Sequence, residues 1–544
     1  MNEITSKPVQ KVDLCQVKSI QGYECIRAEY PGYLSDESKL TLGAFDCLFF
    51  PENEAQLYAV IREMEARNVP ITVAGARTGL VGGCVPPRGA MVSLEKMDRV
   101  QAVYFDAQAD EWRIRAEAGI SLAQLARMAL SKSFPGLENS SDPEARAQVQ
   151  RYREDPLNYF YPPDPTEMSA SLGGTVATNA SGARTYRYGP TRDWVRKLRV
   201  MTAAGEILDV PRGKYFSSPS GWFVVYDSSG RHYSFRVPDY AMPRTKNTAG
   251  IYACAHMDLI DLFIGSEGAF GIVTAVDVGL LPLEPKCSIV QFTASDFQAL
   301  ELVQKLRSDK RLRLDFLEFY SEHALALLRE MQREDRRPVG MPPIPQPGGA
   351  AVFFELSFDP LDQTPDFRAL EETVASAGAS LSNSWAGYES RELARFKHFR
   401  HLLPEKVSQV IAERKKKYPS LHRLSSDLAV PDQHLFDIWR LYQQRLDQAG
   451  MQWVGFGHVG NNHFHISSMP RDMEELRRGL EIYAEFAQQA VDYGGAVSAE
   501  HGIGKIKAKL LPKMFSPEQI SQMRAVKAAL DPGLRLNPGN SFGA

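Results

Sequence analysis

The sequence predicts a multidomain α+β protein, on three observations. Helix and strand patterns alternate singly along most of the chain. Glycine clusters recur beside strand patterns before residue 282, and Pro282 and Pro285 separate that half from a second alternating run. The chain has 544 residues, enough for two to four domains at roughly 100–200 residues each. With 44% hydrophobic and 24% charged residues its composition is ordinary for a globular protein. Sixty-three Lys and Arg stand against 66 Asp and Glu, a net charge of −3, so no nucleic-acid partner is expected. The six cysteines, at 15, 25, 47, 84, 254 and 287, form no CxxC pair. That excludes zinc-ribbon and iron–sulfur spacings and fits a reducing compartment. The opening MNEITSKPVQKVDL has no signal-type apolar run and no 18-residue apolar stretch follows, so a cytoplasmic location is expected.

Residues 1–45 read as irregular or lightly helical. PENEAQLYAVIREMEARN reads as a helix beginning at Pro51, and VPITVAG as the strand after it. The polar, proline-bearing stretch 139–165 reads as a long loop. DWVRKLRVMTAAGEILDV is a strand-turn-strand with Ala204-Gly205 at the turn, and 211–250 reads as a loop insertion. Beyond Pro285, helices at 294–309 and in TPDFRALEETVASAG alternate with strands such as AAVFFELSF. Residues 333–349 read as a charged, proline-rich surface loop, and the RKKK run at 414–417 as a solvated helix end. Ser516 caps a last helix that closes at Pro532-Gly533.

Gly455, Gly457 and Gly460 spell GxGxxG after a strand-like MQWVGF. A dinucleotide fingerprint needs a helix next. NNHFHIS alternates as a strand instead, so no Rossmann site is expected there, and no GxxxxGK(S/T) occurs. Three other clusters have the composition of a ligand cradle. In VAGARTGLVGGCVP, residues 73–86, Gly75, Gly79, Gly82 and Gly83 let backbone approach a ligand and form an anion nest. LGGTVATNASG (172–182) and GSEGAFG (265–271) are small-residue surfaces. Each alone fits tight packing equally well; together they suggest a long ligand with a phosphate portion and a planar portion. Eight of the 11 histidines fall between His398 and His501. His463 and His465 share one face of a strand, His458 precedes it, and Glu500 and His501 end another strand-like run. Three imidazoles and a carboxylate suit Zn²⁺ or Mn²⁺; if the two strands are not neighbours, the histidines are structural.

The three glycine clusters in this order, with Arg187-Tyr188-Gly189 after the second, resemble the FAD-binding domain of the vanillyl-alcohol oxidase / p-cresol methylhydroxylase superfamily. Through LDPGLRLNPGN at 530–540 the chain resembles the branch of D-lactate dehydrogenases, glycolate oxidase flavoprotein subunits and D-2-hydroxyglutarate dehydrogenases. The resemblance implies an N-terminal segment (1–45), a two-subdomain FAD-binding domain of the p-cresol methylhydroxylase type (46–284), an α+β substrate or cap domain with antiparallel sheet and a metal site (285–510), and a C-terminal helix returning to the FAD domain (511–544). FAD is expected to be non-covalent, since the pyrophosphate loop has no histidine. Its expected contacts are Gly75, Arg77, Thr78, Gly79, Gly82, Pro163, Asp164, Gly173, Gly174, Thr178, Gly182, Glu267 and Ile272.

The C-terminal motifs resemble GHxGDGNxH and GEHGIG of that branch. They imply a divalent metal, Zn or Mn, on His458, His465 and Glu500, with His501 as catalytic base and Arg400 binding the substrate carboxylate. The implied reaction is metal-assisted oxidation of a D-2-hydroxy acid, of the D-lactate, D-2-hydroxyglutarate or glycolate type, by hydride transfer to flavin N5. A quinone, cytochrome or electron-transfer protein is the expected acceptor. The alternatives are an alkylglycerone-phosphate-synthase-like transferase, and the flavin subunit of a multi-subunit glycolate oxidase with a separate iron–sulfur subunit. A homodimer and a peripheral position at the inner membrane are further expectations. Asn461 and Asn462 replace the Asp-Gly of the motif and His463 its Asn. Three roles are open to His463, a fourth ligand, a substrate contact or a spacer, and contact with substrate or a place behind the metal ligands is expected.

Overall fold

The computed structural model describes residues 2–3, 12–334, 344–345, 349–359 and 364–542. Most of the proline-rich loop expected at 333–349 lies outside them. A four-stranded sheet runs in the order Lys18–Gln21, Cys47–Phe50, Ala90–Ser93, Ile71–Ala74. Its last three strands are parallel, because the helix Glu54–Ala66 carries the chain back to the same end of the sheet. Asn53 caps this helix by accepting the Gln56 N–H, two residues beyond the start expected at Pro51. A five-stranded antiparallel sheet follows: Ile207–Pro211, Val195–Met201, Ile272–Gly279, Glu111–Glu117, Val100–Asp106. The strand-turn-strand read at 193–210 is its first hairpin, with Gly205 at φ 85° in the turn.

Three stretches are more ordered than their sequence suggested. Lys18–Gln21 is a strand and Tyr23–Glu29 a helix within the supposedly irregular N-terminal segment. Pro143–Glu154 is a helix within the loop expected at 139–165. Asp142 accepts the Glu144 N–H, Pro143 occupies the first turn, and Val149 and Tyr152 are buried; a good cap and one apolar stripe outweigh overall polarity. Trp222–Tyr226 and His232–Arg236 form a hairpin inside the loop insertion expected at 211–250, half-buried on alternate residues.

The second half builds an eight-stranded sheet: Ser384–Gly387, Lys286–Phe292, Ala351–Ser357, Leu314–Tyr320, Trp453–Gly457, His463–Ser468 and Leu424–Ser425, with Leu428–Ala429 also paired to His463–Ser468. Its pairings are antiparallel. Side chains alternate between two cores. Leu317, Phe319, Phe354 and Phe464 share one with Ile438 and Trp439 of the helix Leu435–Gln448; Phe316, Tyr320 and Phe353 share the other with Phe396 and Phe399 of the helix Ser390–Lys415. Cover on both faces explains why Leu314–Tyr320 and Ala351–Ser357 are buried throughout. The GxGxxG stretch is the turn between two of these strands, and Lys415, Lys416 and Lys417 are exposed at a helix end, both as read from the sequence. After the helix Pro517–Leu530, capped by Ser516, the chain returns to the four-stranded sheet: Ile71 N–H donates to Arg535 O and Asn537 N–H to Ile71 O, both at 2.7 Å. All six cysteines are unpaired, and no helix among the described residues is long and apolar enough to cross a membrane.

Phe464 is fully buried against Phe319, Trp439 and Tyr442. Phe464→Ala should destabilise the fold by about 3–5 kcal/mol, read from urea unfolding. A loss below about 1 kcal/mol would contradict this packing.

Candidate active site

The three glycine segments converge on one cleft of about 1500 Å³, its open mouth included. Gly75, Arg77, Thr78, Gly79, Gly173, Gly174, Thr178, Glu267 and Ile272 line it. Gly82, Pro163, Asp164 and Gly182 are not among the residues that line it. Gly82 turns at φ 72° against Leu40, and a Cβ on Gly182 would come within 1.7 Å of Asp164 O. The Asp164 carboxylate pairs with Arg184 at 3.2 Å, and Pro163 is buried beside it. Gly83 and Pro165 face the cleft instead. The wall also takes in Asp36, which sequence reasoning missed: it is buried, lines the cleft, and its Oδ2 has no hydrogen-bond partner among the described residues. Tyr33, from the same segment, lies under the Arg77 guanidinium at 3.8 Å. A cleft walled on three sides by the glycine segments suits a ligand that backbone must approach closely.

The histidine cluster adjoins the cleft through Glu500 and His501. The strand His463–Ser468 sets His463 and His465 on one face, and the short 3₁₀ turn Val459–Asn461 brings His458 back over them. Glu500 arrives on a loop bonded to the neighbouring backbone, through Ala496 N–H to Ala429 O and Ala499 N–H to Asp427 O, each 2.9 Å. The donor atoms of His458, His463, His465 and Glu500 all lie within 4.8 Å of one another. Glu500 Oε2 is 3.4 Å from His458 Nε2, 3.6 Å from His465 Nε2 and 3.9 Å from His463 Nδ1. His501 lies nearly parallel to His465, ring centres 5.5 Å apart, and both Glu500 and His501 line the cleft.

Residues distant in sequence fix this cluster. Asp427, fully buried, accepts from Glu500 N–H at 3.1 Å, His501 N–H at 3.0 Å, Ser498 Oγ at 2.8 Å and Lys507 Nζ at 2.5 Å. It also meets His463 Nε2 at 3.0 Å and His501 Nδ1 at 3.4 Å. Glu318 faces His458 Nδ1 at 3.2 Å and takes a two-pronged fork from Arg400 at 2.9 and 2.8 Å. Arg400 therefore stands behind His458, outside the cleft wall. Lys246 donates to Glu500 and, at 3.2 Å, to Gly182 O. Glu267 turns its carboxylate to the chain, accepting Ile503 N–H at 2.6 Å and Gly504 N–H at 2.8 Å, and so ties the third glycine segment to the Glu500 loop. Asn462, replacing a glycine of the motif, sits in the left-handed region at φ 52° and accepts from Arg307 at 3.0 Å.

Burial opposes charge on all these groups. It pushes His463 down to about 3 and His501 to about 4. Against burial, His458 and Lys246 hold Glu500 well below the carboxylate range, and His501 and Lys507 do the same for Asp427. Asp427→Asn keeps the shape but leaves Lys507 facing a neutral group. It should destabilise the fold by about 3 kcal/mol or more, read by chemical denaturation; a change below about 1 kcal/mol would contradict the role given to Asp427.

Comparison with known proteins agrees with this geometry. A family described as "FAD binding domain" matches residues 45–148 and 147–211, and one described as "FAD linked oxidases, C-terminal domain" matches residues 284–541. A glycolate oxidase subunit GlcD of Bacillus subtilis (strain 168) is 25% identical over 98% of this chain and 96% of its own. A D-2-hydroxyglutarate dehydrogenase of Xanthomonas citri pv. viticola is 27% identical over 90% of this chain and 88% of its own. Among solved structures, an alkyldihydroxyacetonephosphate synthase has the same fold, with a TM-score of 0.55 at 14% identity, covering 91% of this chain and 77% of that one.

Proposed function

This chain belongs to the FAD-linked oxidases of the vanillyl-alcohol oxidase / p-cresol methylhydroxylase superfamily, and we propose that it oxidises a D-2-hydroxy acid to the 2-oxo acid. The observation that carries this reading is the Glu500-His501 pair, which faces both the glycine-walled cleft and the histidine cluster. The donor set fits a divalent ion. Tetrahedral donors about 2.0–2.2 Å from a first-row ion stand roughly 3.3–3.6 Å apart, close to the spacings around Glu500 Oε2. Names of the relatives, a glycolate oxidase subunit and a D-2-hydroxyglutarate dehydrogenase, support the substrate class.

When bound, FAD supplies the hydride acceptor, and a divalent ion on His458, His465 and Glu500 supplies a Lewis acid that lowers the substrate hydroxyl pKa. The chain supplies the base and the order. His501 is neutral at physiological pH, because burial depresses it to about 4. With Nδ1 against Asp427, its Nε2 is the nitrogen that takes the hydroxyl proton. Lys246 offsets the buried charge of Glu500, and Glu318 orients His458. The Arg400 fork expected to bind the substrate carboxylate is taken by Glu318 instead. Electrons leave for an acceptor outside the chain, which carries neither a nicotinamide fingerprint nor a cysteine cluster.

Mixing the FAD-loaded enzyme anaerobically with D-lactate, D-2-hydroxyglutarate, glycolate and the L-acids should bleach the flavin with one or more D-acids or glycolate. No bleaching with any of them would sink the reading. His501→Ala should slow bleaching by at least about 100-fold while FAD stays bound; unchanged kinetics would reject the base. A base depressed to about 4 is lost only as pH falls through that value. The acid limb of flavin reduction should therefore lie well below 6.5, the ordinary histidine value; a limb at or above it would contradict the assignment.

A further inference from the structure

We propose that His463 is a fourth protein ligand of the divalent ion, so that three imidazoles and one carboxylate hold it; this rests on the metal reading above. His463 is 0% exposed and does not line the cleft. Its Nε2 meets Asp427 Oδ1 at 3.0 Å, and its Nδ1 points toward Glu500 Oε2 at 3.9 Å. His458 repeats the arrangement with its nitrogens exchanged: Nδ1 meets Glu318 at 3.2 Å and Nε2 faces Glu500 Oε2 at 3.4 Å. A carboxylate behind each ring, with the opposite nitrogen aimed at a shared centre, is how proteins orient metal-binding imidazoles.

Proton placement sharpens the point. His463 Nε2 lies nearest Asp427 and His458 Nδ1 nearest Glu318; with protons on those nitrogens, each ring turns a lone pair toward the same carboxylate oxygen. His458 Nδ1 and both ring nitrogens of His463 have no hydrogen-bond partner among the described residues. Lone pairs converging on a buried carboxylate repel one another unless a cation stands between them. The motif's usual Asn offers no such donor at this position, and an imidazole-rich set favours zinc, cobalt or ferrous iron over magnesium or calcium.

The FAD-loaded enzyme, stripped with a chelator and reloaded with Co²⁺, tests this by X-ray absorption at the cobalt edge. Three imidazoles are expected. His463→Asn should weaken Co²⁺ binding by more than about 100-fold, beyond the 10–100-fold of an outer-shell partner, measured by competition with a chelating dye. Two imidazoles in the wild-type spectrum, or a loss of 100-fold or less, would overturn the His463 assignment and leave the metal reading standing. Failure of the wild-type enzyme to bind Co²⁺ would overturn both. Should His463→Asn not fold, the wild-type spectrum decides.

Discussion

The structure turns on a buried carboxylate. Glu500 lies buried in the wall of the cleft, and an ion there costs several kcal/mol unless opposite charge and hydrogen bonds compensate. Lys246 supplies one compensating charge, and three imidazoles surround the same group within 3.9 Å. The eight-stranded sheet exists at this point to present two of those rings on one face and to bring the third over them. Asp427 extends the same logic, holding the backbone of Glu500 and His501 in place with its two oxygens and facing Lys507 behind.

Two halves of the chain meet at this charge. Glu267, from the third glycine segment, grips the turn that follows His501, and Asn537 near the C-terminus donates to Glu267 O at 3.1 Å while accepting from Val73 N–H at 2.8 Å. The cleft wall and the histidine cluster are therefore one hydrogen-bonded body, and a shift in either moves the other. Such rigidity suits hydride chemistry, which depends on holding reacting atoms within a fraction of an ångström.

Much of this was legible in the sequence, for a physical reason. Close backbone approach demands glycine, so the cleft left clusters in the sequence, and the histidines crowd together as well, though their spacing alone left a structural role open. Partners that act one at a time left no such mark. Glu318 and Lys246 stand singly in ordinary contexts, and only folding brings them within hydrogen-bonding reach of residues up to 254 positions away. Asp36 is equally silent, although it lines the cleft. At Gly82 and Gly182 an added Cβ would meet Leu40 and the Asp164 backbone, so packing by itself calls for glycine there. The helix Pro143–Glu154 was hidden by polarity, because two buried residues suffice to anchor it.

The central claim proposed for this cluster is that His501 takes the hydroxyl proton of a 2-hydroxy acid while the hydrogen on its 2-carbon leaves as hydride for the flavin. Anaerobic stopped-flow reduction of the bound flavin by a D-2-hydroxy acid carrying deuterium at C2 tests it most directly. The account predicts that the reduction phase slows with the deuterated acid. Equal rates in that phase would contradict it.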